Sequence, residues 1–352
     1  MVEPAKILVR SWRIVSGDFM KRLTWAALLG AAAALAVPAA LADDSSAMLG
    51  AGGIVLTKNA DVRMASEDLF LSPNAVKVHY VFANDSAQDI DTIVAFPLPD
   101  VDNYEYSESP IGTTVDAAPN FVGFKLLIDG KPVAATAEVH AVQNGRDVTA
   151  QVLAAGAPLL VSIGGGYDKM QKLSKAQRAM LVKAGLLDAD DIDLHAKWTT
   201  TTKYWWKMHF PAHGTVTVDH TYQPVTGQTF FTTYALEKDE YAGYVKDYCI
   251  DAGTRATIDA GFAALKKAGG NDGMYNQYTT EFVIKTANNW KGPIGRFHLT
   301  LDKLKPTNIL SLCWAGNLAK TGATRFESTL TNFAPKADIK LLVLEQPAPG
   351  QQ

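Results

Sequence analysis

The chain lacks the residue patterns of several familiar active sites. It contains no G-x-S-x-G element, so a nucleophile elbow is not indicated. Its three consecutive glycines, Gly164 to Gly166, lack the lysine and the spacing of a phosphate-binding loop. If Asp188 begins an EF-hand loop, Asp193 and Thr199 stand where glycine and glutamate are required. These absences favour binding over catalysis, and they indicate no cofactor.

Basic clusters are also missing. The whole chain carries 33 basic and 36 acidic residues, a net charge of −3. Five of the bases and two of the acids lie in the first 42 residues, so the remainder holds 28 bases and 34 acids. A net charge of −6 without a basic run makes nucleic acid and anionic membrane surfaces poor partners.

Long apolar runs are confined to one place near the N-terminus. Met20-Lys21-Arg22 precedes an alanine- and leucine-rich stretch that ends in Ala40-Leu41-Ala42. A basic start, an apolar middle and a small-x-small end are typical of a secretory signal peptide. We therefore predict cleavage after Ala42 and a periplasmic or secreted protein that does not span the membrane. The alternative, a membrane anchor, needs a longer apolar run than this one.

Cysteine is scarce, since Cys249 and Cys313 are the only two. An even count in an exported chain favours a disulfide between them. Two buried free thiols or a catalytic cysteine are the alternatives, although no local motif supplies the base that a nucleophilic thiol needs.

The residue patterns predict a mainly β fold of two antiparallel, sandwich-like domains. Residues 76–82 alternate between an apolar and a more polar face, which is typical of a half-buried strand. Further short strands with polar turns come before and after it. We predict a signal peptide (1–42), an N-terminal β domain (43–155), a helical linker or insert (156–194), a C-terminal β domain (195–346) and a disordered tail (347–352).

Two helices are predicted within this β-rich chain. Ser174 and Gln177 form a capping box for a short helix that spans residues 175–184 and ends before Gly185. A second helix is predicted for residues 255–267, where Ile258, Phe262 and Leu265 share one stripe.

Aromatic residues concentrate around the start of the predicted C-terminal domain. Trp205 and Trp206 are adjacent, so a strand would turn them to opposite faces. One would be core, and the other, with Trp198, is a candidate contact surface for a partner or a glycan. His209, His213 and His220 are weak candidates for a metal site. Pro211 prevents two of these histidines from sharing one face of a helix, and no cysteine or acidic residue lies at a spacing typical of metal ligands. We expect no metal.

Six stretches stand out in the chain: residues 49–54, 66–69, 95–100, 248–251, 292–295 with Phe297, Leu299 and Asp302, and 324–327. Together they resemble an exported bacterial family of unknown function, DUF4424. The resemblance covers nearly the whole chain after residue 42 and implies an exported, β-rich protein with Cys249 and Cys313 as a pair. Residues 76–140 are also similar to the vault/inter-α-trypsin β-sandwich module, although the metal-binding motif of its usual adhesion partner is missing.

These observations lead to two hypotheses of different classes. The first is an exported, soluble cell-envelope protein without catalytic activity that binds an envelope protein or a glycan. The second is a hydrolase of envelope polymer that uses paired carboxylates, which a cleft holding two neighbouring acids would favour.

Overall fold

Alternating apolar residues build the strands at the centre of the molecule. The structure is a computed structural model, and it describes residues 44–50, 53–104, 119–267 and 273–346. The predicted signal peptide and cleavage site and the predicted tail lie outside these residues. The strands, in chain order, are β1 Ser45–Gly50, β2 Gly53–Leu56, β3 Val62–Ser72, β4 Ala75–Asn84, β5 Ile90–Pro97, β6 Val101–Asp102, β7 Lys125–Ile128, β8 Lys131–Val133, β9 Thr136–Gln143, β10 Arg146–Asp147, β11 Thr199–Phe210, β12 Thr215–Tyr222, β13 Thr226–Phe231, β14 Tyr275–Phe282, β15 Ile294–Asp302, β16 Ile309–Ser311, β17 Ala319–Lys320, β18 Arg325–Phe333 and β19 Ile339–Glu345.

The strands form three sheets. Sheet 1 has the order β10-β9-β11-β5-β1-β2, with β6 also paired to β11, and sheet 2 has the order β17-β18-β15-β3-β4-β12-β7-β8. Sheet 3 has the order β13-β14-β19-β16. The prediction of a mainly β fold is confirmed.

One strand pair departs from the predicted antiparallel pattern. β15 runs parallel to β3, with Phe297 opposite Glu67 and Leu299 opposite Leu69. A parallel pair needs a long connection, and more than 200 residues of chain separate these two strands.

The predicted boundary at residues 156–194 does not separate the sheets. Sheets 1 and 2 each take strands from both sides of it, because β11 pairs with β5 and β12 pairs with β4. All described residues belong to one compact unit, Ala39–Gln352. The two predicted β domains therefore share their sheets.

The main core lies where the inner faces of the three sheets meet. Phe96 of β5, Tyr80 of β4 and Val343 of β19 all belong to one buried apolar cluster. The three residues come from three different sheets, so burial in this cluster stabilises the sheets together.

Five helices are described, and both predicted helices are among them. The capping box of Ser174 and Gln177 is present at the start of the first predicted helix. The second begins three residues earlier than predicted. No helix in the described part of the chain is both long and apolar enough to cross a membrane. The helices are α1 Thr149–Ala154, α2 Gly166–Gln171, α3 Lys175–Lys183, α4 Lys238–Tyr248 and α5 Ala252–Lys267, with short 3-10 turns at Thr233–Leu236 and Lys285–Asn289.

Helices α4 and α5 cover part of one face of sheet 3. Ile258 and Phe262 of α5 are buried against Phe231 and Tyr275 of the sheet. Gly261 makes this close approach possible, since a Cβ atom there would overlap the Tyr275 hydroxyl. The other end of the same face is not covered by these helices.

Candidate functional site

A cleft of about 530 Å³ opens on the uncovered end of sheet 3. Side chains alternate along β14, so Gln277, Thr279 and Glu281 lie on the same face as buried Tyr275. This face thus changes from apolar under the helices to polar in the cleft. Its polar part forms the cleft floor together with Lys340, which pairs with Glu281 across β14 and β19.

Two segments form the walls of the cleft. One is α4, which contributes Glu240, Gly243, Tyr244 and Asp247, and the other is the segment 99–102 that follows β5. Nothing lies within 4 Å of the position that a Cβ atom on Gly243 would occupy, so α4 leaves open space there.

Polar contacts and a covalent bond hold α4 in place. The structure contains the predicted disulfide between Cys249 and Cys313. It joins the residue that ends α4 to the segment after β16. The Tyr244 hydroxyl donates a hydrogen bond of 2.8 Å to Gln277 Oε1, and the Ser311 hydroxyl donates one of 2.9 Å to the Tyr248 carbonyl. The position of this wall thus depends on its C-terminal end.

Acidic side chains outnumber basic ones in the lining of the cleft. Lys340 is the basic residue among them, and its Nζ lies 3.8 Å from Asp247 Oδ2. An excess of carboxylates in a concave, partly desolvated site produces a negative potential that attracts cations. The acidic residues are Asp100, Asp102, Glu240, Asp247 and Glu281.

Two of these carboxyl groups have perturbed pKa values. Asp100 is open to the water in the cleft, but protein surrounds it on most sides, and this desolvation raises its pKa. The charge of Glu281 raises it further and that of Lys203 lowers it, so that the pKa of Asp100 is about 6. Burial also raises the pKa of Glu281, against the opposing effect of Lys340. Perturbed carboxyl groups in a cleft are characteristic of functional sites.

The arrangement has two chemical uses. Ionised carboxylates beside threonine hydroxyls and glutamine amides can hold a cation that also donates hydrogen bonds. A carboxyl group that is half protonated near pH 6 beside a second acid can also transfer a proton. Tyr244 stays a neutral hydrogen-bonding group, because burial raises the pKa of its phenol.

The structure corrects the predicted contact surface. Trp198 and Trp206 are each only 2% exposed, because one packs among the helices α1–α3 and the other between sheets 1 and 2. Trp205 does lie on the opposite face of β11, as strand alternation requires, but it is half-buried. It packs against Ala47 and Ile54 of the β1–β2 hairpin, which covers its ring.

The three candidate histidines are not brought together. His220 is fully buried in the core, whereas His209 is exposed and its Nδ1 lies 2.9 Å from Asp91 Oδ1. His213 lies in the turn between β11 and β12 with a positive φ of 51°. Within the described ranges, no three or more His, Cys, Asp or Glu side chains are placed to share a metal ion.

The acids of the cleft were not identified from the sequence. Asp100 follows Pro99, and Glu281 lies in a strand that resembles any half-buried strand. The closest available signal was the acidic, tyrosine-rich segment that forms α4, where Glu240, Tyr244 and Asp247 recur at helical spacing. Only the fold reveals that these segments meet.

The fold and its cleft define a mainly β protein with a carboxylate-lined cavity at one end of its third sheet. The chain belongs to the family described as domain of unknown function DUF4424, whose model matches residues 42–342. The resemblance to this family inferred from the sequence is confirmed. No curated protein matches the chain.

Two solved structures show limited similarity. One is a candidate nutrient-binding protein from Legionella pneumophila, with 15% identity and a TM-score of 0.42 over 82% of this chain and 68% of that one. The other is a yeast LTA4 hydrolase, with 8% identity and a TM-score of 0.26 over 81% of this chain and 29% of that one. Similarities this low bear on neither functional hypothesis.

Proposed function

We propose that this chain is an extracytoplasmic binding protein that takes a small, positively charged ligand into the cleft. The observation that carries the proposal is the raised pKa of Asp100 and of Glu281 in a cavity lined by five carboxylates and one lysine. The lining therefore lacks the positive charge that would balance it.

A cationic ligand would supply that missing charge. Neighbouring carboxylates such as Asp100 and Glu281 repel one another in the empty cleft, and an amine or guanidinium group offsets this repulsion by pairing with them. Thr229, Thr279 and Gln277 add neutral hydrogen-bonding groups that orient the ligand. Tyr244 and Tyr248 add aromatic surface, which favours cations at close range.

Export is the part of the proposal that concerns location. A disulfide in the structure and the signal-like segment 20–42 both support an oxidising compartment outside the cytoplasm. We expect mass spectrometry of protein purified from the envelope fraction to find Asp43 at the N-terminus. Recovery of the uncleaved chain from the cytoplasm would contradict export.

Binding of cations is expected to depend on Asp100 and on pH. Asp100→Asn removes one charged acceptor, so we expect the affinity for an organic cation to fall about tenfold. Because a protonated Asp100 no longer attracts a cation, the affinity should also fall as the pH drops below about 6. Isothermal titration calorimetry with putrescine and with arginine, at about pH 7.5 and about pH 5, measures both effects.

Asp259→Asn is the matched control for Asp100→Asn. Asp259 is an exposed carboxylate on α5 that pairs with Arg255 outside the cleft. This variant should bind both cations as the unmodified protein does. Two results would contradict a cation site in the cleft. One is that maltose, a neutral compound, binds as tightly as the cations, and the other is that the two variants lose cation affinity equally.

The hydrolase hypothesis remains the second candidate, and one observation favours it. A carboxyl group with a pKa of about 6 beside a second carboxyl group, that of Glu281, is suited to act as a general acid. If this hypothesis is right, the protein releases new reducing ends from purified cell-wall polymer, and Asp100→Asn and Glu281→Gln each abolish the release. Tight cation binding without any release would favour the binding protein.

A further inference from the structure

Helix α4 forms one wall of the cleft but buries little apolar surface against the rest of the fold. It has no buried residue, and only Tyr241, Tyr244 and Tyr248 pack partly against the apolar cluster of sheet 3. Segments with so little buried surface open at low cost in free energy. The attachment of α4 therefore depends strongly on the groups that tie its C-terminal end.

The disulfide is the covalent tie at that end. Cys249 ends α4 with a positive φ of 51°, a left-handed conformation that a residue with a Cβ atom adopts at a cost. Its bond to Cys313 closes a loop with a sequence separation of 64 and helps to hold Cys249 in this conformation. Both cysteines are exposed, so an external thiol can reach them. Exposed disulfides are more readily reduced than buried ones.

We propose that the Cys249–Cys313 disulfide is a redox-sensitive clasp that holds α4 against the cleft, and that its reduction releases α4 and lowers ligand affinity. Only the loss of ligand affinity rests on the proposed cation-binding function; the release of α4 does not depend on it. A dithiol reductant supplies two electrons and two protons, so that the S–S bond breaks, two cysteine thiols form and the reductant becomes a disulfide. Reduction would then displace Glu240, Tyr244 and Asp247 from the cleft.

Hydrogen exchange measured by mass spectrometry tests the release without any ligand. We expect reduction by dithiothreitol to speed the exchange of amides in α4 by about tenfold or more. Helix α3 is the internal control, because its capping box ties it without a disulfide, and its exchange should not change. Unchanged exchange in α4 overturns the proposal. Equal acceleration in α3 and β4 also overturns it, because the bond would then hold the whole fold and not one wall.

A double variant separates loss of the bond from other effects of the reductant. Cys249→Gly with Cys313→Ala removes the bond, and glycine accepts the left-handed conformation without cost. We expect rapid α4 exchange in this variant without reductant, together with putrescine affinity at least about tenfold below that of the oxidised protein. Equal affinity in the two proteins overturns the clasp. If the oxidised protein binds no cation while α4 exchange still rises on reduction, the proposed function fails and the release of α4 stands.

Discussion

Trp206→Ala is expected to lower the free energy of unfolding by about 3–5 kcal/mol, because it empties a large volume in the core between sheets 1 and 2. The indole is 2% exposed and lies 5.3 Å from the His220 ring and 6.5 Å from the Phe124 ring, measured between ring centroids. Urea denaturation followed by circular dichroism measures the change without depending on the fluorescence of the residue replaced.

Trp205→Ala is the matched control for Trp206→Ala. Trp205 is the neighbouring residue of the same type, but it is half-buried beneath the β1–β2 hairpin. We expect a smaller loss of stability, since less apolar area leaves water when the ring packs. Equal losses from the two variants would show that the hairpin buries Trp205 as completely as the core buries Trp206.

Local patterns were sufficient to predict individual strands and helices. The alternation of Val76, Val78, Tyr80 and Phe82 matches the buried positions of β4, because a strand between two environments must alternate. The capping box of α3 was equally readable, since its two side chains bond to nearby backbone groups. Such features depend on residues a few positions apart, which a single sequence contains.

Pairings between distant segments were not predictable in the same way. The register of β3 and β15 is set by the apolar residues that both strands present to the same core. Neither strand has a sequence feature that indicates which other strand it pairs with. Along the sequence, residues 156–194 divide the strands into two separate groups, although the strands of both groups pair in the same sheets. The prediction of two β domains was based on this division along the chain.

The cleft could not be predicted from the sequence for a related reason. Its lining comes from five distant segments, and Asp100 and Glu281 each have an ordinary sequence context. Helix α4 was missed because it buries no residue completely, so no strong apolar stripe marks it. The aromatic residues that do stand out in the sequence, Trp198 and Trp206, are core residues.

The second prediction concerns His220, which lies on β12 and faces the core. The ring is fully buried, and the rings of Tyr80, Phe96, Phe124 and Trp206 lie within 5.4 Å of it between centroids. Asp44 Oδ1 lies 3.5 Å from Nε2 and favours the protonated ring. Burial among aromatic rings opposes protonation more strongly, and it lowers the pKa of His220 to about 3.

A buried histidine with a lowered pKa makes the fold sensitive to acid. Between pH 6.5 and about 3 the unfolded chain binds a proton at His220 that the folded chain does not, so stability must fall as the pH falls through this window. Each pH unit contributes up to about 1.4 kcal/mol, which amounts to about 2–3 kcal/mol between pH 7 and pH 4.5. His220→Phe keeps an aromatic ring in this place but cannot titrate, and the other ionisable groups are common to both proteins. Urea denaturation at several pH values should therefore show a shallower loss of stability in the variant by about this amount. Parallel pH dependences for the two proteins would mean that the folded state binds the same proton, with Asp44 stabilising a charged His220 inside the core.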